Sequence, residues 1–255
     1  MGLRICIDAG HYANYNCNTH VTPTYWESRM AWKLHLMQKE ELEQYEGVSV
    51  RLTRTDPEKD LGVVARGQAA AGCDLLISDH SNGATDPSVD WPVAIYPVSN
   101  QRKALAQKLA DTMTQVMGTK QKGKIYQRWN SANNADYYGV IRGAASVGVP
   151  AIILEHSFHT NDRAAAWLLQ DSNLRKLAVA EAAVIAAEFG CKLKKPVNPF
   201  VDVKESNWFY EDVMWGVAKG LVNGTDATHF SPNNAMTRAQ AVALLRRFAK
   251  WIGKV

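Results

Sequence analysis

LRICIDAGH (3–11), DLLISDHSN (74–82) and VPAIILEH (149–156) are three apolar runs that each end on polar, chemically capable side chains. A fourth run, VSVRLT (48–53), has the same Val/Leu character without such an ending. Between the runs lie longer amphipathic stretches, at 24–45, 62–73, 100–118 and about 163–189. Short strands rich in Ile, Leu and Val that alternate with helices indicate a parallel sheet covered on both faces. The expected fold is therefore α/β: a mostly parallel twisted sheet with helices on both faces.

Outward from this block, the pattern stops at KLKKPVNP (192–199), which has two prolines and no apolar period. Beyond it, 208–220 and 237–253 read as helices, joined by the turn-forming NGTD and FSPNN stretches. Thr237 and Gln240 have the spacing of a capping box at the second helix start. The expected organisation is a catalytic domain at 1–191, a linker at 192–199 and a small all-α module at 200–255. A unit this short buries only ~60% of its unfolded surface and leans on something else for stability. Trp208 and Trp215 are expected in its core.

The composition is that of a folded protein: 46% of the 255 residues are hydrophobic and 21% charged. That excludes intrinsic disorder, which needs low hydrophobicity and high net charge. The formal net charge of +4 is unevenly spread. Residues 1–191 carry 19 basic and 20 acidic side chains, residues 192–199 carry three lysines, and residues 200–255 carry 7 basic and 5 acidic. No basic face with interleaved aromatics exists, so no nucleic-acid partner is expected. No apolar run reaches the ~18 residues of a membrane span. Cys6, Cys17, Cys73 and Cys191 lie far apart, and Cys6 and Cys73 read as small core residues rather than a disulfide framework. The N-terminus reads as a strand, not as an export signal, so the chain is expected to stay in the cytosol until released.

The polar ends of the strands carry the chemistry. Ligands of open α/β sheets bind beyond the carboxyl ends of the strands, so His11, His80 and Glu155 can converge there. Two histidines and a carboxylate from separate elements suit a catalytic zinc, which takes three protein ligands and leaves one position for water. Glu27, in the first turn of the first helix after the loop from His11, is the third ligand expected. Glu155 is then free to act as general base and to return the proton to the leaving amine. Taken singly, each residue has an ordinary alternative: a hydrogen-bonded loop histidine, or a carboxylate at a helix N-terminus. His156 and His159 compete as ligands or substrate contacts, and His20, His35 and His229 read as surface or core residues.

Together, the DAGH start, Glu27, LTRTDPEKDLGVVARGQAA (52–70), LLISDHSNG (75–83) and AIILEHSFHTN (151–161) resemble the zinc-dependent N-acetylmuramoyl-L-alanine amidases of the Amidase_3 type. The resemblance implies zinc held by His11, Glu27 and His80, a catalytic Glu155, and peptidoglycan as substrate. Asp79 departs from the family's usual apolar residue; it either orients a ligand or points away from the site. Arg66 matches a recurrent arginine whose role is expected to be structural. Residues 200–250 resemble the S-layer homology module, which implies attachment to an anionic secondary cell-wall polymer. Arg238 is the expected contact, because an arginine fork matches carboxylate or phosphate. The family usually presents three such repeats and this chain has one, so a homo-oligomer through residues 200–255 is expected. The combined architecture points to a phage or prophage endolysin. The alternatives are a sporulation or exported autolysin amidase, a zinc peptidase acting on stem peptides, and a non-catalytic wall-binding protein.

Overall fold

The computed structural model describes residues 2–194 and 198–251, so positions 195–197 of the expected linker lie outside the described residues. The chain divides into two compact units, Met1–Leu193 and Lys194–Val255. In the first, the elements run β1 (Leu3–Ala9), β2 (Cys17–Asn18), β3 (Tyr25–Trp26), α1 (Glu27–Leu42), β4 (Val48–Leu52), α2 (Val63–Gln68) and β5 (Leu75–Asn82). They continue with β6 (Val93–Ile95), α3 (Lys103–Met117), β7 (Lys124–Tyr126), α4 (Gly139–Ser146), β8 (Ala151–Phe158), α5 (Asp162–Leu168) and α6 (Asp171–Glu188). Six strands form one sheet in the order β4-β1-β5-β8-β6-β7, and β2 pairs with β3 in a separate small hairpin.

The four strands read from the apolar runs form the parallel block β4-β1-β5-β8. Their side chains divide by the two-residue period of a strand. Ile5, Ile7, Leu75, Ile77, Ile152 and Leu154 pack in one core with residues of α1, α3 and α6. Cys6, Leu76, Ala151 and Ile153 pack in a second core with Val140, Ile141 and Ala144 of α4. Cys6 and Cys73 are buried in this second core, as their apolar surroundings led one to expect.

Four features depart from the expectation. β6 and β7 extend the sheet, with β6 antiparallel to β8; each has only three residues, and Pro92 and Pro97 flank β6, leaving no periodic signal. The helical region near 163–189 is two helices, separated where Gln170 adopts extended backbone (φ −87°, ψ 115°). Within 62–73 only Val63–Gln68 is helical. The α4 segment GVIRGAAS was not expected to be helical because two glycines weaken its propensity.

Those glycines have a packing reason. A Cβ on Gly143 would lie 2.1 Å from the Val64 carbonyl oxygen, and one on Gly67 would lie 2.2 Å from that of Val140. Helices α2 and α4 thus touch backbone to backbone.

In the second unit, α7 (Tyr210–Ala218) and α8 (Arg238–Trp251) flank long turns. The core is small: Phe200, Val203 and Val213, with Phe209, Tyr210, Val217 and Phe230 packed against it. The capping box forms, with Thr237 N–H donating to Gln240 Oε1 (2.7 Å) and Gln240 N–H to Thr237 Oγ1 (3.2 Å). The tryptophans correct the expectation of a buried pair: Trp208 is 88% exposed and Trp215 45% exposed. So few residues cannot enclose two indoles beside three phenylalanines. Among the described residues, no helix is long and apolar enough to cross a membrane.

Gly143→Ala is expected to destabilise the first unit by roughly 1–3 kcal/mol, because the α2–α4 contact cannot absorb a methyl group. A lowered chemical denaturation midpoint would show this, and an unchanged midpoint would mean that the helices separate freely.

Candidate active site

β1, β5 and β8 are neighbours in the sheet, so their carboxyl ends share one edge. His11 lies two residues beyond the end of β1, and His80 of β5 sits opposite Glu155 of β8 in register. Glu27 is the first residue of α1, and the preceding loop returns it to this edge through Glu27 N–H donating to the Asn16 carbonyl (2.8 Å). Glu27 Oε1 lies 3.3 Å from His11 Nε2 and 2.9 Å from His80 Nδ1. The donor atoms of these three residues all fall within 4.8 Å of one another. Two imidazoles and one carboxylate are the donor set of a catalytic zinc, so the residues fit that ion.

The surroundings hold these donors in place. Glu27 Oε1 also accepts from the Ser81 backbone N–H (3.0 Å), and Oε2 accepts from Asn16 Nδ2 (2.6 Å). His11 adopts a left-handed backbone (φ 58°), a conformation that non-glycine residues adopt at a cost. Two buried arginines fasten that turn. Arg66 donates to the carbonyls of Ala9 (2.6 Å) and His11 (2.9 Å), and Arg54 donates to the same two carbonyls. Arg66 is therefore structural, as its sequence match suggested. Tyr15 stacks on the His11 ring at 4.4 Å with a 12° interplanar angle. Gly10 leaves room for β5 and His80: a Cβ there would lie 2.5 Å from the Asp79 carbonyl oxygen, 2.5 Å from His80 Cε1 and 2.6 Å from its Nδ1.

The electrostatics separate the two carboxylates. Burial opposes ionisation of Glu27, but hydrogen bonds and charge from His11 and His80 hold its carboxyl well below the usual range. Burial pushes the Glu155 carboxyl up to about 7; the His80 charge opposes this and the Glu27 charge adds to it. Glu155 Oε2 is buried and has no hydrogen-bond partner. One carboxyl is thus held ionised while the other is raised toward neutral pH.

The structure brings His11, Glu27, His80 and Glu155 together. It removes His156 from the site, because that side chain is fully buried and bonded to Glu181. His159 lies at the edge, its Nδ1 3.0 Å from the Ser81 carbonyl and 3.9 Å from Glu27 Oε2. Asp79 points away, into the layer beneath, where Gln38 donates to it. His20 and His229 are exposed and His35 is buried. Arg238 is exposed and makes no side-chain hydrogen bond or ion pair among the described residues. Asn16, Tyr15 and Arg54 were missed; only the nearness of 14–16 to His11 in the chain could have signalled the first two.

Gly10→Ala is expected to push the His80 ring off its position and lower divalent-metal binding at least tenfold, with the circular dichroism of the fold retained. Titration with zinc reads this, and unchanged affinity would show that His80 does not depend on the space beside Gly10.

Residues 5–187 match the family model described as N-acetylmuramoyl-L-alanine amidase, and residues 199–242 match that of the S-layer homology domain. The fold is similar to the catalytic domain of CwlV, an N-acetylmuramoyl-L-alanine amidase from Bacillus (Paenibacillus) polymyxa var. colistinus. That match has TM-score 0.63 and 22% identity and covers 74% of this chain and 99% of that one. An N-acetylmuramoyl-L-alanine amidase from Clostridium difficile 630 matches with TM-score 0.63 and 18% identity, covering 74% of this chain and 97% of that one. Cwp6 from Clostridium difficile matches with TM-score 0.62 and 20% identity, covering 73% of this chain but 29% of that one. Among curated proteins, the surface-layer 125 kDa protein of Lysinibacillus sphaericus is 36% identical over 73 residues, 28% of this chain. The matched stretch spans only 6% of that relative's length. The S-layer homology match corrects the expectation of a chain held in the cytosol. A domain of that kind and a surface-layer relative point to the cell surface rather than the cytosol. With the amidase model matched over residues 5–187 and His11, Glu27 and His80 gathered at one edge of the sheet, the chain belongs to the N-acetylmuramoyl-L-alanine amidase family.

Proposed function

We propose that the protein is a cell-surface peptidoglycan hydrolase that cuts the amide between N-acetylmuramic acid and L-alanine. The observation that carries this reading is the meeting of His11, Glu27 and His80 donor atoms beside Glu155, whose buried Oε2 has no partner. His11, Glu27 and His80 would hold zinc. That ion, when bound, supplies Lewis-acid polarisation of a carbonyl and acidifies water to a pKa of about 7. Glu155 takes the proton of the attacking water on its free oxygen and passes it to the amide nitrogen, which otherwise leaves as a poor leaving group. A carboxyl near 7 serves both transfers, because it accepts and releases a proton at neutral pH. Glu27, Asn16 and the two arginines keep the histidines oriented while Glu155 moves the proton.

The second unit is proposed to attach the enzyme to an anionic secondary cell-wall polymer, with Arg238 as the contact that pairs with its charge. The endolysin reading, drawn from a catalytic domain joined to a short wall-binding module, also supposed a chain held in the cytosol until release; an exported, wall-attached amidase is the reading the S-layer homology match favours. Association of copies through residues 200–255 is part of the proposal. Helix α8 has no buried residue and exposes Val242, Leu245, Phe248 and Trp251 along one side, more apolar surface than a lone module leaves in water.

Glu155→Gln is expected to reduce release of free L-alanine amino termini from purified walls by a factor of about 10²–10⁴ while zinc content stays unchanged. Undiminished lysis would sink the mechanism, and new amino termini at other stem-peptide residues would point to a peptidase instead. Chelation is expected to abolish the same release, and added zinc to restore it. For the association, light scattering is expected to give an oligomer for the full chain and a monomer for a Leu245→Ser/Phe248→Ser variant. A monomeric mass for both would refute it.

A further inference from the structure

Between the sheet and the layer formed by α1 and α6 lies a second group of ligand-type side chains that the amidase chemistry leaves unused. Asp79 of β5, His156 of β8 and Glu181 of α6 are each fully buried. Each offers a donor atom, and these atoms lie within 4.8 Å of one another. Gln38 of α1, also buried, donates through Nε2 to Asp79 Oδ1 (3.0 Å) and to Glu181 Oε2 (2.7 Å). Two polar atoms of this group have no hydrogen-bond partner among the described residues: Asp79 Oδ2 and Gln38 Oε1.

The orientation of His156 restricts what can fill the group. Its Nδ1 lies 3.0 Å from the His80 carbonyl, and a carbonyl only accepts, so Nδ1 carries the hydrogen. Nε2 then faces Glu181 Oε1 at 2.9 Å. A bare ring nitrogen against a carboxylate oxygen is repulsive, so a proton or a cation must stand between them. A proton there pairs His156 with Glu181 and leaves Asp79, whose carboxyl burial pushes up, either neutral with Oδ2 unmatched or as one excess buried anion. Burying such an excess charge costs several kcal/mol. A divalent cation balances both carboxylates, takes the ring nitrogen as a neutral ligand and gives Asp79 Oδ2 a partner. A histidine whose other nitrogen donates to a backbone carbonyl is also the usual arrangement of a metal ligand. The spacing matches that of the strand-end site, where His80 Nδ1 and Glu27 Oε1 are likewise 2.9 Å apart.

We propose that Asp79, His156 and Glu181, with Gln38 beside them, form a second and closed divalent-cation site for an ion of the zinc or manganese class. One imidazole nitrogen with carboxylate oxygens suits these borderline ions. Full enclosure, with no open position, is the mark of a structural rather than a catalytic site. The ion ties β5, β8, α1 and α6 together directly behind His80 and loads while the chain folds.

The test is metal content of the full chain produced with zinc chloride or manganese chloride, together with anomalous scattering from crystals at the matching absorption edge. Two equivalents per chain are expected, with two anomalous peaks, one among Asp79, His156 and Glu181. His11→Ala is expected to keep one equivalent, and Glu181→Gln, which preserves shape and removes charge, to keep the other. A single equivalent that His11→Ala removes and Glu181→Gln leaves would overturn the proposal while sparing the amidase reading. A single equivalent with the reverse response would support the buried site and remove the zinc from the strand-end reading. If Glu181→Gln does not fold, the wild-type anomalous map decides alone: no peak at the buried group overturns the proposal.

Discussion

One oxygen atom, Glu27 Oε1, holds the functional edge of this protein together. It meets His11, His80 and the Ser81 backbone N–H within 3.3 Å, on a side chain only 1% exposed. A buried carboxylate without compensation is costly, and removing one partner of such a group leaves the other stranded. Every nearby feature can be understood as compensation or support for that charge. Asn16 occupies the second oxygen, the turn at His11 is pinned by Arg54 and Arg66, and Gly10 leaves the His80 ring its space.

The same economy explains why the two faces of the sheet differ. On one side α2 and α4 come so close that glycines meet carbonyls, and the buried polar groups Asp8, Ser78 and Arg66 pair with one another. On the other, α1 and α6 enclose Asp79, His156 and Glu181 within an otherwise apolar core. Polar groups placed at such depth require partners, and their geometry is therefore informative about what they bind. The second unit shows the opposite condition: its three-residue core is too small to cover α8 or either exposed tryptophan.

Much of this was readable in the chain. The Ile, Leu and Val runs at 3–8, 48–53, 74–79 and 149–155 became β1, β4, β5 and β8 in one parallel block, since apolar side chains on both faces can be buried only in such a sheet. His11, His80 and Glu155 met because parallel strands place their carboxyl ends along one edge, and the loop before α1 returned Glu27 to it. β6 and β7 were not legible, being three residues each, and α4 was hidden because its glycines serve a helix contact rather than helix propensity. Asp79 and His156 could be seen as unusual but not placed, since a strand alternates faces and the neighbouring residue of each points the other way.

The sequence by itself determined the four-stranded parallel block, most of the helices around it, the residue types of the site at its edge and the resemblance of the second unit to a wall-binding module. These follow from local period and from the order of motifs. Only the tertiary structure decided that Arg54, Asn16 and Tyr15 support His11 and Glu27, that His156 turns away while His159 stays at the rim, and that Glu181 and Gln38 join Asp79 in the core. Those contacts link residues up to 143 positions apart. They arise from how helices pack on a sheet, and no local pattern encodes a distance of that kind.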